Sequence, residues 1–192
     1  MTLKEQIKNY VPFDEQEEKD KVQFLKFIDT FDNVLTRENI FGHITSSAFV
    51  VNKERTKMLV VYHIIDDGWI YPGGHADGEE DLLSVALREV EEETGLKPKV
   101  LDNSIFSIQS GPVIGHIKRG KYVSAHIHYD VIYLMEADDK IPLKYKKDES
   151  KGAKWIPFEN AMDKSVCAYA RPIHKKLITK LKKIELKEIE LK

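Results

Sequence analysis

The chain has 192 residues, a formal net charge of −2 and a single cysteine, Cys167. This length predicts one compact domain with an extension, and the 42% hydrophobic and 32% charged residues are typical of a packed core with a soluble surface. The near-neutral charge excludes a basic field that would draw the chain to nucleic acid or to an anionic membrane, and one cysteine excludes an intrachain disulfide. No apolar run approaches the roughly 20 residues of a membrane span, and the first residues carry no apolar signal segment. We therefore expect a cytoplasmic protein without a membrane partner.

The first 40 residues are predicted to form helices outside the main domain. A short helix ends at Pro12, and Asp14 is placed to cap a second one, with Glu17 at the capping-box position. Four large apolar residues then recur at helical spacing, which is typical of core packing: Phe24, Phe27, Ile28 and Phe31. We expect this stripe to pack the extension, residues 1–40, onto the domain or onto a partner subunit.

From residue 41 onward, the pattern predicts strands that alternate with helices. The strand-like segments are residues 43–52, 57–65, 68–72, 99–109, 121–136 and 151–158. A glycine-containing basic loop is expected at 111–121, and a short helix at 158–163. Cys167 lacks a histidine or cysteine at ligand spacing, so we expect it to serve packing.

A final helix is predicted from Arg171. Its apolar face consists of Ile173, Leu177, Leu181 and Ile184. Its lysines are expected to lie on a solvated side: Lys175, Lys176, Lys180, Lys182 and Lys183. Residues 186–192 are expected to form a tail.

The most informative segment is residues 74–96, GHADGEEDLLSVALREVEEETGL. A helix from about Glu79 to Thr94 places three carboxylates on one face, because Glu89, Glu92 and Glu93 are three and four positions apart. Such a cluster repels itself unless a cation is present, and Mg²⁺ prefers oxygen ligands. The alternative, an ordinary solvated helix, does not explain the cluster.

The same segment resembles the signature of Nudix hydrolases. That signature is Gly, five residues, Glu, seven residues, and then Arg-Glu-apolar-any-Glu-Glu-any-Gly-apolar. Every specified position matches in this chain: Gly74, Glu80, Arg88, Glu89, Val90, Glu92, Glu93, Gly95 and Leu96. The resemblance implies an α/β fold, an α/β/α sandwich around a mixed sheet, over residues 41–185.

The resemblance also implies the chemistry. Mg²⁺ or Mn²⁺ would be held by Gly74, Glu89, Glu92 and Glu93, and Arg88 would orient an acidic side chain. The expected reaction is hydrolysis of a diphosphate bond in a nucleoside diphosphate linked to another moiety. The base that takes the proton from water is Glu89, Glu93 or Glu149, the last in a loop before a later strand.

Several residues outside the signature are candidates for substrate contacts. His126, His128 and Asp130 alternate along one strand and so share a sheet face. Two imidazoles and a carboxylate could bind a transition metal, but hydrogen-bonded groups of a pocket or of the surface are the favoured interpretation. The resemblance implies that this strand faces the substrate cleft, so His126 and His128, like His75, are expected to contact the substrate. Lys118 and Arg119 are candidates for a phosphate clamp. No role follows for His43 or His63.

Three alternative functions stay open. The first is a capped-RNA pyrophosphohydrolase, although the near-neutral charge does not favour nucleic acid as a partner. The second is an isomerase of isoprenyl diphosphates, which needs a well-placed cysteine. The third is a non-catalytic domain that senses a nucleotide, although this chain keeps every signature acid. The expected partner is a small nucleotide-type diphosphate, and a homodimer is possible.

Overall fold

A computed structural model describes residues 1–64, 67–118, 120–145 and 151–190, with only the backbone for 187–190. The helices are α1 (Leu3–Asn9), α2 (Glu15–Thr30), α3 (Leu82–Thr94) and α4 (Ala170–Glu190), and a 3₁₀ turn spans Phe158–Asn160. The strands are β1 (Gly42–Val51), β2 (Lys57–His63), β3 (Gly68–Ile70), β4 (Gly73–His75), β5 (Lys99–Val100), β6 (Ser107–Val113), β7 (His116–Lys118), β8 (Lys121–Val123), β9 (His126–Glu136) and β10 (Ala153–Pro157). None of the helices in these ranges is both long enough and apolar enough to cross a bilayer.

A mixed sheet forms the centre of the molecule. Its main path runs β10-β2-β1-β9-β5, while β3, β4 and β6 pair with β2, β1 and β9. The two longest strands, β1 and β9, are parallel and in register from Gly42↔Ile127 to Val51↔Glu136. The other pairings within this sheet are antiparallel. Every residue of β1 is buried, as expected for a strand covered on both faces.

Helices cover both faces of this sheet. Ile44, Ala48 and Val50 of β1 belong to a core that includes residues of α2 and α3. Phe49 and Val51 belong to a second core that includes residues of α4. Since side chains alternate between the faces of a strand, one strand contributes to both cores. The α/β/α sandwich implied by the sequence is confirmed.

Helix α3 is shorter at its start than expected. It begins at Leu82, because the Asp81 side chain caps it by accepting a hydrogen bond from the Ser84 N–H at 3.1 Å. The helix ends at Thr94, as expected. Gly95 adopts a left-handed conformation with φ of 71°, which a glycine takes without steric cost.

Two segments that were predicted as single strands are divided. Residues 99–109 form β5 and part of β6, with a turn between them in which the Ser104 N–H donates to Asp102 at 2.8 Å. Residues 121–136 form β8 and β9. The expected basic loop at 111–121 instead contains the end of β6 and the pairing of β7 with β8.

The aromatic stripe of α2 packs onto the sheet of the same chain. Phe27 stacks on Tyr129 of β9 with ring centroids 4.2 Å apart, and Phe24 meets the same ring edge-on at 5.2 Å. Ile28 and Phe31 are partly buried against this core. Asp14 caps α2 as predicted, with its side chain accepting from the Glu17 N–H at 3.0 Å.

The prediction of a solvated lysine face on α4 is wrong for two residues. Lys176 is only 7% exposed, and its Nζ lies 3.1 Å from Oε1 of the fully buried Glu17. Lys180 Nζ lies 3.5 Å from the other carboxylate oxygen of Glu17. Lys175, Lys182 and Lys183 are exposed as expected. The pattern of charges along α4 does not distinguish the buried lysines from the exposed ones, because their burial depends on where α2 packs.

Candidate active site

The glycine pair at the start of β4 lies against the acidic helix. The Gly73 N–H donates to Oε2 of Glu93 at 3.1 Å. A Cβ placed on Gly74 would lie 2.6 Å from both carboxylate oxygens of Glu89. Only a glycine therefore leaves room for that carboxylate at the turn. Glu89, Glu93 and Gly74, which the sequence singled out, therefore do meet, and Gly73 joins them.

Arg88 holds the other side of this acidic cluster. Its Nη1 lies 3.0 Å from Oε1 of Glu89 and 3.7 Å from Oε1 of Glu92. Burial raises the pKa of Glu89, Arg88 opposes this rise and Glu92 adds to it. A partly buried carboxylate beside a second one lowers its electrostatic energy by binding a cation. The oxygen donors of Glu89, Glu92, Glu93 and the Gly74 carbonyl thus fit Mg²⁺ or Mn²⁺.

A second group of side chains, four histidines, lies on one face of the sheet. His43 is the register partner of His128, and His75 pairs with Thr45, two residues beyond His43. The ring of His43 lies 4.9 Å from that of His75 and 4.8 Å from each of His126 and His128. We call His43, His75, His126 and His128 the histidine cluster.

Three of these imidazoles are held in the neutral form. Burial lowers the pKa of His75 and of His128 to about 2, and Arg37 adds to the effect at His75 while neighbouring imidazoles add to it at His128. Burial also lowers the pKa of His43 to about 4. Neutral imidazoles donate or accept hydrogen bonds, but they do not neutralise a phosphate.

Asp130 shares the face of His126 and His128, as predicted, but it has other partners. Its Oδ1 accepts from Thr45 at 2.9 Å and from Ser47 at 2.8 Å, and its Oδ2 accepts from Tyr71 at 3.2 Å. Burial raises its pKa to about 6, although these hydrogen bonds oppose the rise. Asp130 is thus tied to β1 and to Tyr71 rather than to the imidazoles.

Lys118 is exposed on β7, yet its charge helps to lower the pKa of His75. The structure therefore brings this predicted phosphate contact towards the histidine cluster. Two other predicted site residues, Arg119 and Glu149, lie outside the described residues.

Sequence reasoning missed two contributors to the site. His43 received no role, although its ring, like that of His128, contacts the other three imidazoles. Arg37 lies in the predicted extension, pairs with Asp77 at 2.7 Å and acts on the pKa of His75. The signal for His43 is the parallel register of β1 with β9, which a single sequence does not reveal.

Comparisons with known proteins agree with this geometry. A family model described as the NUDIX domain matches residues 42–181. An RNA pyrophosphohydrolase of Pelagibacter ubique is 32% identical over 141 residues, which are 70% of this chain and 88% of that protein. A CMP-5'-(N-acetyl-N-hydroxy-3-aminopropyl)phosphonate hydrolase of Streptomyces rubellomurinus is 29% identical, over 62% of this chain and 53% of that one.

Solved structures share the fold. A NUDIX-family hydrolase of Clostridium perfringens aligns with a TM-score of 0.52 and 19% identity, over 72% of this chain and 97% of that one. The dihydroneopterin triphosphate pyrophosphohydrolase of E. coli aligns with a TM-score of 0.56 and 12% identity, over 71% and 94%. At these identities the likeness establishes the architecture alone. With the family model covering most of the chain and each signature residue in place, the chain belongs to the Nudix hydrolase family.

Proposed function

We propose that the chain hydrolyses a phosphoanhydride bond in a small nucleoside diphosphate linked to another moiety. Mg²⁺ or Mn²⁺ would be held by Glu89, Glu92, Glu93 and the Gly74 carbonyl. The observation that carries the proposal is the approach of Glu89 and Glu93 to the Gly73–Gly74 turn, within a complete signature.

The side chains of this site have separable roles. The bound cation would neutralise phosphate oxygens and make water more acidic. The Gly73 N–H fixes one oxygen of Glu93 and thereby orients the carboxylate at the glycine turn. Arg88 keeps Glu89 and Glu92 from separating, so it positions the acidic groups rather than contacting the substrate.

We propose that the substrate binds against the sheet face that carries the histidine cluster. Lys118, together with Arg119, would supply positive charge to the phosphates. His75, His126 and His128 would contact the base or sugar as hydrogen-bonding rings, since neutral imidazoles bring no charge to a phosphate.

A second candidate substrate is the 5′ end of RNA. It is favoured by the Pelagibacter ubique relative, which is an RNA pyrophosphohydrolase. An isomerase that uses cysteine gains no support, because Cys167 is buried in the core beneath α4.

The test is a substrate panel with Mg²⁺: nucleotide sugars, ADP-ribose, dinucleoside polyphosphates, nucleoside triphosphates, and triphosphorylated and capped RNA. The active-site control is Glu93→Gln, whose amide is a poor Mg²⁺ ligand but still accepts the Gly73 N–H. We expect it to lower kcat by at least about 100-fold without a large change in melting temperature.

The matched control is Glu91→Gln. Glu91 is exposed on the same helix and pairs with Lys97 at 3.1 Å, so its substitution should leave turnover unchanged. Absence of turnover across the panel, or normal turnover by Glu93→Gln at limiting Mg²⁺, would contradict the proposal.

A further inference from the structure

The histidine cluster brings four imidazoles together from three adjacent strands. His43 lies on β1, His75 on β4, and His126 and His128 on β9. The proposed hydrolytic chemistry depends on the glutamates of α3 and assigns these rings at most contacts with substrate. We propose that the histidine cluster binds one borderline-soft transition-metal ion, with Zn²⁺ as the best fit, at a site separate from the glutamates.

The ligand atoms already lie near the required spacing. One ring nitrogen from each of His43, His75 and His128 lies within 4.8 Å of the others. Zn–N bonds of about 2.0–2.1 Å place tetrahedral nitrogen ligands roughly 3.3 Å apart, so small ring rotations would close the site. His126 Nε2 lies 3.2 Å from His128 Nε2, which is already the edge of such a tetrahedron.

His43 is the buried member that needs a partner. Its side chain is only 5% exposed, and neither ring nitrogen makes a hydrogen bond of normal geometry with the described residues. The Asn39 backbone favours its charged form, but burial and the neighbouring His126 outweigh this and lower the pKa. An unsatisfied buried nitrogen is costly, and coordination of a metal ion would satisfy the one that faces the other rings.

His126 is oriented in the way that metal-binding histidines usually are. Its Nδ1 lies 2.8 Å from the carbonyl oxygen of Ser124. A carbonyl only accepts, so Nδ1 carries a proton, and Nε2, which faces His128, is the nitrogen placed to bind a metal ion. A backbone carbonyl that fixes the tautomer and ring angle is a common outer partner of a metal ligand.

The chemistry of the donors selects the ion. Imidazole nitrogens suit Zn²⁺, Cu²⁺ and Ni²⁺, whereas carboxylates and water suit Mg²⁺ and Mn²⁺. The two sites should therefore fill independently in the presence of both kinds of ion. An ion in the histidine cluster would also tie β4 to β1 and β9, and would thereby stabilise the turn that carries Gly73 and Gly74.

The experiment measures Zn²⁺ binding to the full chain without a polyhistidine tag. Millimolar Mg²⁺ is present to occupy the glutamates, and a chromophoric chelator competes for Zn²⁺. We expect one Zn²⁺ per chain, and at least about 100-fold weaker binding in His75→Gln and in His128→Gln, since even outer partners of a metal contribute 10- to 100-fold. Co²⁺ in place of Zn²⁺ should give the intense visible absorption of a tetrahedral nitrogen site, which His128→Gln should abolish.

Two controls separate this site from its surroundings. His116→Gln changes a histidine on β7 that belongs to neither site, and Glu93→Gln weakens the glutamate site. Both should keep the Zn²⁺ affinity of the wild type. Circular dichroism establishes whether each variant is folded. If His128→Gln does not fold, the Zn²⁺ affinity of His75→Gln, which changes a half-buried residue, decides the question.

The outcomes are distinct. The proposal would be overturned if Zn²⁺ binding were lost in Glu93→Gln but kept in His75→Gln and His128→Gln. It would also be overturned if the folded wild type bound no Zn²⁺ in the presence of Mg²⁺. A rise in melting temperature with Zn²⁺ that is lost in His75→Gln would support it. No substrate enters the measurement, so the result does not depend on the proposed hydrolytic function.

Discussion

At the scale of single residues, the open question is which carboxylate takes the proton from water. Glu89 is partly buried, and in the metal-free protein its pKa is raised by burial. Its carboxylate also lies where the cation is expected, against Gly74. Glu149, outside the described residues, is the alternative that the family resemblance implies.

Glu149→Gln should lower kcat by about two orders of magnitude with little change in KM, if Glu149 is the base. It should leave Mg²⁺ affinity unchanged, because the proposed ligands remain. Glu89→Gln is the comparison, since it should weaken Mg²⁺ binding as well as turnover. Steady-state kinetics at saturating and limiting Mg²⁺ separate the two effects. Near-normal kcat in Glu149→Gln across the pH range would place the base within the signature, with Glu89 as the next candidate before Glu93.

The sequence alone predicted the positions of some site residues and not of others. Glu89, Glu92 and Glu93 follow from their spacing, because a helix brings positions three and four apart onto one face. The four imidazoles meet only because β1 and β9 pair in parallel across more than 80 residues. Nothing local to His43 or His128 specifies that register.

At the scale of elements, α2 and α4 are joined by a buried ionic network. Glu17 is fully buried and accepts hydrogen bonds from Ser107 at 2.6 Å and from Tyr10. Burial alone would raise its pKa, but Lys176, these hydrogen bonds and Lys180 outweigh it and lower the pKa to about 2.

This network should make stability depend on acidic pH. A carboxylate with a depressed pKa in the folded state stabilises the fold above its unfolded pKa of about 4.3, and the effect is lost as pH falls towards about 2. Wild type should therefore lose about 3 kcal/mol from this residue across that window. Glu17→Gln should be less stable by about 3–5 kcal/mol at pH 7, since it leaves the buried Lys176 ammonium without its counterion, and its stability should vary less between pH 4.5 and 2.

The measurement is urea unfolding at several pH values. Glu18→Gln is the matched control, because Glu18 is the exposed neighbour on the same helix and should show the wild-type pH profile. Equal stability of Glu17→Gln and wild type at pH 7 would show that the network does not hold α2 to α4.

The elements themselves were largely predictable, and their docking was not. The aromatic stripe of α2 and the apolar face of α4 follow from 3.6-residue periodicity. The burial of Lys176 depends on α2 lying beside α4, and no pattern within α4 records that contact. The division of 99–109 and 121–136 depends on short turns that apolar patterning does not mark.

At the scale of the whole molecule, the N-terminal helices complete the core beneath the sheet. Phe24 and Phe27 cover Tyr129 of β9, and Tyr10, Phe24 and Phe27 are all buried. We infer that residues 1–40 are an extension that the Nudix domain of this chain needs for stability, since the family model matches from residue 42 onward.

Deletion of residues 1–36 should therefore cause aggregation, because it exposes the apolar face around Tyr129 and leaves Lys176 without Glu17. The corresponding single substitution is Phe27→Ala, which should lower the free energy of unfolding by about 3–5 kcal/mol. Val22→Ala is the control, since Val22 is 65% exposed on the same helix. A truncated chain that stays soluble with an unchanged melting temperature would show that the extension is dispensable.

Charge over the whole surface bears on the choice between small nucleotides and RNA. The chain has 32 acidic and 30 basic residues, so its net charge supplies no overall attraction for a long polyanion. Among the described residues, Lys118 and Arg37 are cations that act on the histidine cluster, and we expect such charges to neutralise the phosphates close to the cleaved bond. Any turnover of triphosphorylated RNA should then be no faster for an oligomer of roughly 20 nucleotides than for a dinucleotide.

Raising salt from about 50 to 200 mM should lower kcat/KM by less than about tenfold, whereas an enzyme with 6–10 phosphate contacts loses about 10³–10⁵ in affinity. A KM that falls with RNA length and rises steeply with salt would instead identify RNA as the substrate that this surface binds.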